Sequence, residues 1–77
     1  MAKKYLTEKQ LAAAAKRFRK EAGKTRAQAA RDMRVTQTSI FHAEETPGHG
    51  LLRLRARMIA EYSTYKIIGP VFYLKPK

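Results

Sequence analysis

The sequence of 77 residues contains no cysteine and only two histidines. Without cysteine the chain has neither disulfides nor thiolate metal ligands, and neither His42 nor His49 has the companions that would complete a metal site. Because small secreted domains commonly depend on disulfides, we expect a cytoplasmic protein. We expect no metal and no other cofactor.

Long apolar runs are also missing. No run approaches the roughly 18 apolar residues of a membrane span, and no apolar stretch of the kind found in signal peptides follows the N-terminal Met-Ala-Lys-Lys. A membrane partner is therefore not expected. A chain of this length makes one domain, with about a dozen buried side chains.

Acidic residues are scarce. The chain has 6 Asp and Glu against 17 Lys and Arg, which gives a formal net charge of +11. Such an excess favours a polyanionic partner, such as DNA, RNA or an anionic membrane surface. The alternative is a charged surface that serves only solubility, which does not require so large an imbalance.

The residue sets of known catalytic sites are missing as well. The sequence has no Ser-His-acid set, carboxylate pair in a cleft, phosphate-binding loop or metal-binding constellation. A fold this small also leaves little room for a substrate pocket. We therefore expect a binding protein rather than an enzyme.

Three helix starts are marked by N-cap patterns. Thr7 and Thr25 each lie three residues before a glutamine, which is the spacing of a capping box, and Thr36 is a third N-cap. Gly23 is placed to end the first helix in the left-handed conformation. The side of the first helix predicted to face the core contains Leu11, Ala14, Ala15, Phe18 and Ala22.

The segment Thr46-Pro-Gly-His-Gly50 is a loop by composition, and a fourth helix is predicted beyond it, to about Ser63. Its apolar side contains Leu51, Leu54, Arg55, Met58, Ile59 and Tyr62. The pattern predicts a mainly α protein with a single domain over residues 1–77. This domain has a helical core at 7–63, a helix-turn-helix at 25–45 and an extended tail at 64–77.

The predicted third helix, Gln37 to about Glu45, has two unlike sides. If Ile40 faces the core, then at about 100° per residue Ala43 and Glu44 lie beside it, and the opposite side faces solvent. Recognition helices of DNA-binding proteins present their first helical turn to base edges in the major groove. There, glutamine pairs with adenine and aromatic rings contact thymine methyls. Glu45 either accepts from a cytosine amino group or lies outside the interface. The predicted base-contacting residues are Gln37, Thr38, Ser39, Phe41 and His42.

Residues 25–44 resemble the helix-turn-helix of the phage-repressor family, the Cro/cI-like or XRE group. The resemblance covers about half of the chain and implies a lambda-repressor-like bundle of about four helices. Arg26 replaces the usual glutamine, Ala29 replaces a larger aliphatic residue, and Arg34 replaces the turn glycine. The matching positions are Thr25, Ala30, Met33, Val35, Thr36, Ile40 and Glu44.

Phosphate contacts are expected at the N-termini of the second and third helices, where free amides and partial positive charge suit an anion. The family commonly clamps the DNA backbone with the first residue of the second helix, which implies this role for Arg26. Arg53 and Arg57 are either further phosphate contacts or solvated surface residues. The predicted phosphate-contacting residues are Lys24, Thr25, Arg26 and Arg31.

The inward Glu44 needs a cationic partner, because an unpaired buried carboxylate costs several kcal/mol. The resemblance implies a structural ion pair between Arg19 and Glu44. Arg55, in the middle of the apolar side of the fourth helix, is the alternative partner.

The tail is rich in β-branched and aromatic residues, at Tyr65–Ile68 and Val71–Leu74, and is predicted to form one or two strands. One interpretation folds these strands over the first and fourth helices and covers Phe18 and Met58. The other pairs the tail with that of a second subunit and gives the two-fold dimer that palindromic operators require.

These features predict a sequence-specific regulator that binds double-stranded DNA as a homodimer, either a repressor or an antitoxin-like autoregulator. One alternative is a basic RNA-binding or ribosome-associated domain. Another is a protein-interaction module that binds a partner through residues 65–77.

Overall fold

The computed structural model describes residues 5–48, 50–68 and 73–77. In these residues the chain forms four helices and two strands: α1 (Glu8–Glu21), α2 (Arg26–Met33), α3 (Gln37–Glu45), α4 (Leu52–Tyr62), β1 (Tyr65–Ile68) and β2 (Tyr73–Pro76). This confirms the mainly helical class and the stranded tail. Within the same residues, no helix has the length and apolar character needed to cross a membrane.

The three predicted N-caps are all present. The hydroxyls of Thr7 and Thr25 accept from the backbone amides three residues on, and in both cases the glutamine at that position bonds back to the threonine amide. Thr36 caps α3 by accepting from the Ser39 amide. Each helix start in the first half of the domain is therefore encoded locally.

The ends of α1 and α2 share one backbone motif. At the end of α1, Gly23 has a φ of 73° and its amide bonds to the Lys20 carbonyl, while the Lys24 amide bonds to the Arg19 carbonyl. At the end of α2, Arg34 occupies the equivalent left-handed position with a φ of 58°. This pattern is the Schellman motif, and it normally places glycine where α2 has arginine.

The core lies where α1, α3 and α4 meet, and α2 packs on α3. Its buried apolar residues are Leu11, Ala14, Ala15, Phe18, Ala29, Ala30, Met33, Ile40, Ala43, Leu54, Met58 and Ile59. The placement of Ala22 in the inward side of α1 is wrong: Ala22 is the exposed C-cap residue, because α1 ends at Glu21 and the backbone turns away before another core position is reached.

Two arginines are buried in this core, and they have different partners. Arg19 pairs with Glu44, with its Nε 2.5 Å from Oε2 and its Nη2 3.0 Å from Oε1, as the resemblance implied. Arg55 does not bind Glu44. It donates instead to the carbonyls of Ala43 and Thr46, each at 2.8 Å, and so closes the end of α3. Burial lowers the pKa of Arg55 from its ordinary value.

The strands β1 and β2 pair with each other in antiparallel register within one chain, with Ile67 opposite Leu74. Both of these side chains pack on the helical core, and the ring of Tyr65 stacks on Phe18 at 6.0 Å. This is the intramolecular arrangement of the tail, and Met58 is fully buried. The second predicted strand continues past Leu74 to Pro76, and its predicted start, at 71 and 72, lies outside the described residues, as does His49. The homodimer stays a prediction.

Candidate nucleic-acid interface

The unit formed by α2, its turn and α3 is fixed by backbone hydrogen bonds at every junction. The amide of Val35 bonds to the Ala30 carbonyl at 3.0 Å and the amide of Arg34 to the Arg31 carbonyl at 3.3 Å. Thr36 then starts α3 at once, so only three residues separate the two helices. A connection this short, with both ends capped, holds α3 at a defined angle to α2.

The inner side of α3 carries the residues predicted for it. Ile40, Ala43 and Glu44 are all buried, and the Glu44 side chain is 0% exposed. The Glu44 carboxylate bonds to Arg19 of α1 and to Arg26 of α2, where the Arg26 Nε lies 3.1 Å from Oε1. One carboxylate therefore ties α3 to both of the preceding helices.

The outer side of α3 presents three of the five predicted base-contacting residues to solvent. Gln37 and Thr38 are exposed, and Phe41 is 44% exposed. These three side chains and Arg26 line a shallow, open depression on the surface. Glutamine and threonine supply donors and acceptors, and the phenyl ring supplies an apolar contact, which are the groups that read base edges.

The other two predicted base-contacting residues are half-buried. The Ser39 hydroxyl lies 3.0 Å from that of Thr36, so it belongs to the N-cap of α3. The His42 ring packs edge-on against Phe41 at 5.5 Å, and its Nδ1 lies 3.2 Å from the Thr46 hydroxyl. Both residues adjoin the exposed set, but their polar groups already take part in contacts within the fold.

Arg26 is the predicted phosphate contact whose surroundings differ most from the expectation. Its guanidinium bonds to Glu44 and, through Nη2 at 3.3 Å, to Glu45, and its Cζ lies 5.1 Å from the centre of the Phe41 ring. The side chain is 33% exposed. The sequence did not indicate this arrangement, because Glu45 is considered there as a cytosine contact or as a residue outside the interface and not as an ion-pair partner of Arg26, although it lies next to Glu44 on the same helix.

Glu45 is held from the other side by α1. The Lys16 ammonium donates to both Glu45 oxygens, at 3.1 and 2.9 Å. The hydrogen bond from Lys16 is the main reason that the pKa of Glu45 lies below its ordinary value, and the charges of Lys16 and Arg26 add to it. Both Glu45 oxygens are therefore bonded within the fold. Of the two alternatives for Glu45, these bonds favour a place outside the interface over a contact to cytosine.

The remaining predicted phosphate contacts lie around the start and the outer side of α2. Thr25 is the N-cap, and Lys24 is half-buried with its ammonium 4.0 Å from Asp32. Arg31 is exposed and has no ion pair among the described residues. The first-turn amides of α2 and α3 that the caps leave free add partial positive charge beside these side chains.

Two further arginines lie at the turn: Arg34, which the sequence did not assign to phosphate, and Arg57, for which a phosphate contact is one of the two expectations. Arg34 is exposed directly before α3. Arg57 of α4 donates from Nη2 to the Met33 carbonyl at 2.8 Å, which brings a second guanidinium to the same turn. Arg34 was considered only as a departure from the turn glycine, and its position beside the first turn of α3 was the signal that would have added it to the interface.

Five of the six acidic residues are paired with a basic residue. Each of Glu8, Glu21, Asp32, Glu44 and Glu45 lies within 4.0 Å of a lysine or arginine nitrogen.

Comparison with protein families, with curated proteins and with solved structures finds no match for this chain.

Proposed function

We propose that the protein is a transcriptional regulator that binds double-stranded DNA in a sequence-specific manner, with a lambda-repressor-like helix-turn-helix that places α3 in the major groove. The observation that carries this proposal is the division of α3. Its inner side is buried and bonded to α1 and α2, whereas its first turn and outer side present Gln37, Thr38 and Phe41 to solvent. A rigid helix with free base-reading groups fits the major groove.

The charges around α3 support a nucleic-acid partner. Lys24 and Thr25 lie at the start of α2, Arg31 lies in its last turn and Arg34 directly precedes α3. These positions suit contacts to the phosphates on either side of the groove. Such contacts position the protein on DNA without reading the DNA sequence. The large positive net charge also accelerates the encounter with DNA.

The regulator acts as a homodimer in the cytoplasm, as a repressor or an antitoxin-like autoregulator. A single recognition helix reads only a few base pairs, and two copies related by a two-fold axis read a palindrome with half-sites about 34 Å apart. The hairpin that carries β1 and β2 remains the proposed place of contact with the second subunit or with another protein.

A salt titration tests DNA binding. Fluorescence anisotropy with a random duplex should show binding that weakens as salt rises. A plot of log K against log salt should fall with a slope of about 0.9 for each phosphate neutralised. A structured RNA of equal length serves as the competitor. Absence of duplex binding at low salt would contradict the proposal, and preferential binding of the RNA would favour the RNA-binding alternative.

Selection of bound sites from a random duplex pool tests sequence reading. We expect a palindromic site with half-sites one helical turn apart, because two copies of α3 must enter the groove on the same side of the DNA. The Gln37→Ala, Thr38→Ala double variant tests whether these two residues read the site. Because it keeps the net charge, it separates sequence reading from charge-driven binding. It should retain salt-dependent binding to random DNA and lose the enriched site. A pool without any enriched sequence would contradict sequence-specific reading.

A further inference from the structure

Arg26 connects the buried and the exposed sides of α3. Its guanidinium is bonded to the carboxylates of Glu44 and Glu45 and faces the Phe41 ring at 5.1 Å. Glu44 is in turn fixed by Arg19. A planar cation that two carboxylates hold against an aromatic face restricts where that ring can lie.

Phe41 is one of the exposed large apolar residues of the described part of the chain, with a residue exposure of 44%. It borders the open depression shared with Gln37, Thr38 and Arg26. The depression combines an apolar wall with an amide and a hydroxyl at the end of α3 that is proposed to enter the major groove. Among the groups that the major groove presents, only the thymine methyl is apolar in unmodified DNA.

We infer that Phe41 is a specificity-determining residue that packs on the 5-methyl group of a thymine in the operator, and that Arg26 is a positioning residue that holds the ring in place. The inference rests on the proposed function and names the base that this part of the site reads. Gln37 and Thr38 supply hydrogen bonds to neighbouring base edges, and the ring covers the methyl group.

The bonding of Arg26 favours positioning over a phosphate clamp. A phosphate that took over Nε and Nη2 of the guanidinium would have to displace Glu44, which is buried, and Glu45. Only the N–H groups that these two bonds do not use could reach a phosphate without that displacement. Separating a buried carboxylate from a cation is costly, because little water reaches it to replace the bond. Arg31 and Arg34 contact phosphate without this cost.

Replacement of thymine by deoxyuridine tests the contact, because the two bases differ by the methyl group alone. In the selected operator, each thymine pair related by the two-fold axis is replaced in turn, and binding is measured by anisotropy. We expect one pair whose replacement weakens binding about four-fold for each methyl group, which corresponds to the burial of one methyl.

The Phe41→Ala variant assigns the effect to the ring. It should bind the thymine and deoxyuridine operators equally, whereas Tyr5→Ala, which removes an exposed aromatic ring outside α3, should keep the discrimination of the wild type. Equal binding of both operators by the wild type would overturn the inference and leave the proposed function intact. Discrimination that survives in Phe41→Ala would also overturn it, because another residue would then contact the methyl group. If the wild type did not bind duplex DNA at all, the proposed function itself would be overturned.

The Arg26→Gln variant separates positioning from phosphate binding. If Arg26 positions Phe41, the variant loses much of the four-fold discrimination, and the slope of log K against log salt stays as in the wild type. Arg31→Gln is the control and should lower the slope by about 0.9 without affecting the discrimination. A slope lowered by about 0.9 in Arg26→Gln with full discrimination retained would overturn the positioning role. Thermal melts of both variants establish that they are folded.

Discussion

The two sides of α3 differ in what determines their residues. On the inner side, Ile40, Ala43 and Glu44 are buried, and each has a partner from another helix or a place in the core. On the outer side, Gln37 and Thr38 are exposed. The fold constrains the first set closely and leaves the second free to vary.

This difference separates stability from recognition along one helix. The inner residues determine whether α3 is held in place, and the outer residues are the ones proposed to contact DNA. Arg26 of α2 connects the two sides of α3, because it bonds to Glu44 on the inner side and faces Phe41 on the outer side. Substitutions on the two sides should therefore change different measurements.

The largest effect is expected at Glu44. Glu44→Ala leaves Arg19 buried without its carboxylate, and breaking a buried pair in this way costs about 3–5 kcal/mol. A domain of this length has a total stability of roughly 4–12 kcal/mol. Urea unfolding should therefore show a protein close to the limit of folding.

Two variants show that the loss comes from the unpaired charge. Glu45→Ala removes the neighbouring, exposed carboxylate and should cost far less. The double substitution Arg19→Met, Glu44→Leu removes both charges and should be more stable than Glu44→Ala, since no buried charge remains. A double variant less stable than the single one would show that the pair itself provides the stability.

The next effect is expected on the outer side. Gln37→Ala should weaken binding to the selected operator by about 1–3 kcal/mol, which is the usual value of one good base contact. Binding to random DNA and the midpoint of urea unfolding should stay unchanged, because the side chain is exposed. An equal loss of affinity for operator and random DNA would indicate that Gln37 contacts phosphate. A lowered urea midpoint would indicate that Gln37 stabilises the fold.

The inner side of α3 was predictable because local rules determine it. Thr36 fixes where the helix starts, and from Ile40 the helical repeat gives the direction of Ala43 and Glu44. The same local rules gave the starts of α1 and α2 at Thr7 and Thr25. The core residues followed because their spacing is a property of the helix alone.

The contacts of Arg26 could not be predicted in this way. They depend on two long side chains from α2 and α3 meeting across the helix pair, and on Lys16 of α1 holding Glu45 from the far side. The tail was similar: its β character was readable from composition, but its pairing within one chain depends on the contacts that Tyr65 and Ile67 make with the helices.

The turn between α2 and α3 gives a smaller effect, and this one is stabilising. Arg34→Gly should stabilise the protein by about 1 kcal/mol, because a side chain in the left-handed region is strained, and this gain exceeds the chain entropy of glycine. Gly23→Ala is the matched control in the same motif of α1, where an added Cβ meets nothing within 4 Å. It should destabilise by a similar amount through backbone strain. If Arg34 contacts phosphate, Arg34→Gly should also lower the salt slope by about 0.9.

Equal melting temperatures for Arg34→Gly and the wild type would show that other contacts of the arginine offset its strain. A salt slope that does not change would remove Arg34 from the interface. The two measurements are independent, so the substitution separates the role of this residue in the turn from its role toward DNA.

The smallest effect is expected at the exposed carboxylate beside Glu44. The pKa of Glu45 is lowered in the fold from its ordinary value of 4.5, mainly by the hydrogen bond from Lys16. Its contribution to stability is therefore present above pH 4.5 and is lost as the pH falls through the lowered value. Lys16→Gln should be slightly less stable than the wild type at neutral pH, and urea unfolding curves of the two should converge under acid conditions.

The same variant also tests the role of Arg26. Because Glu44 still holds the guanidinium of Arg26, Lys16→Gln should keep the discrimination between thymine and deoxyuridine. A loss of discrimination would show that the position of Phe41 depends on the whole chain of contacts from Lys16 through Glu45 to Arg26.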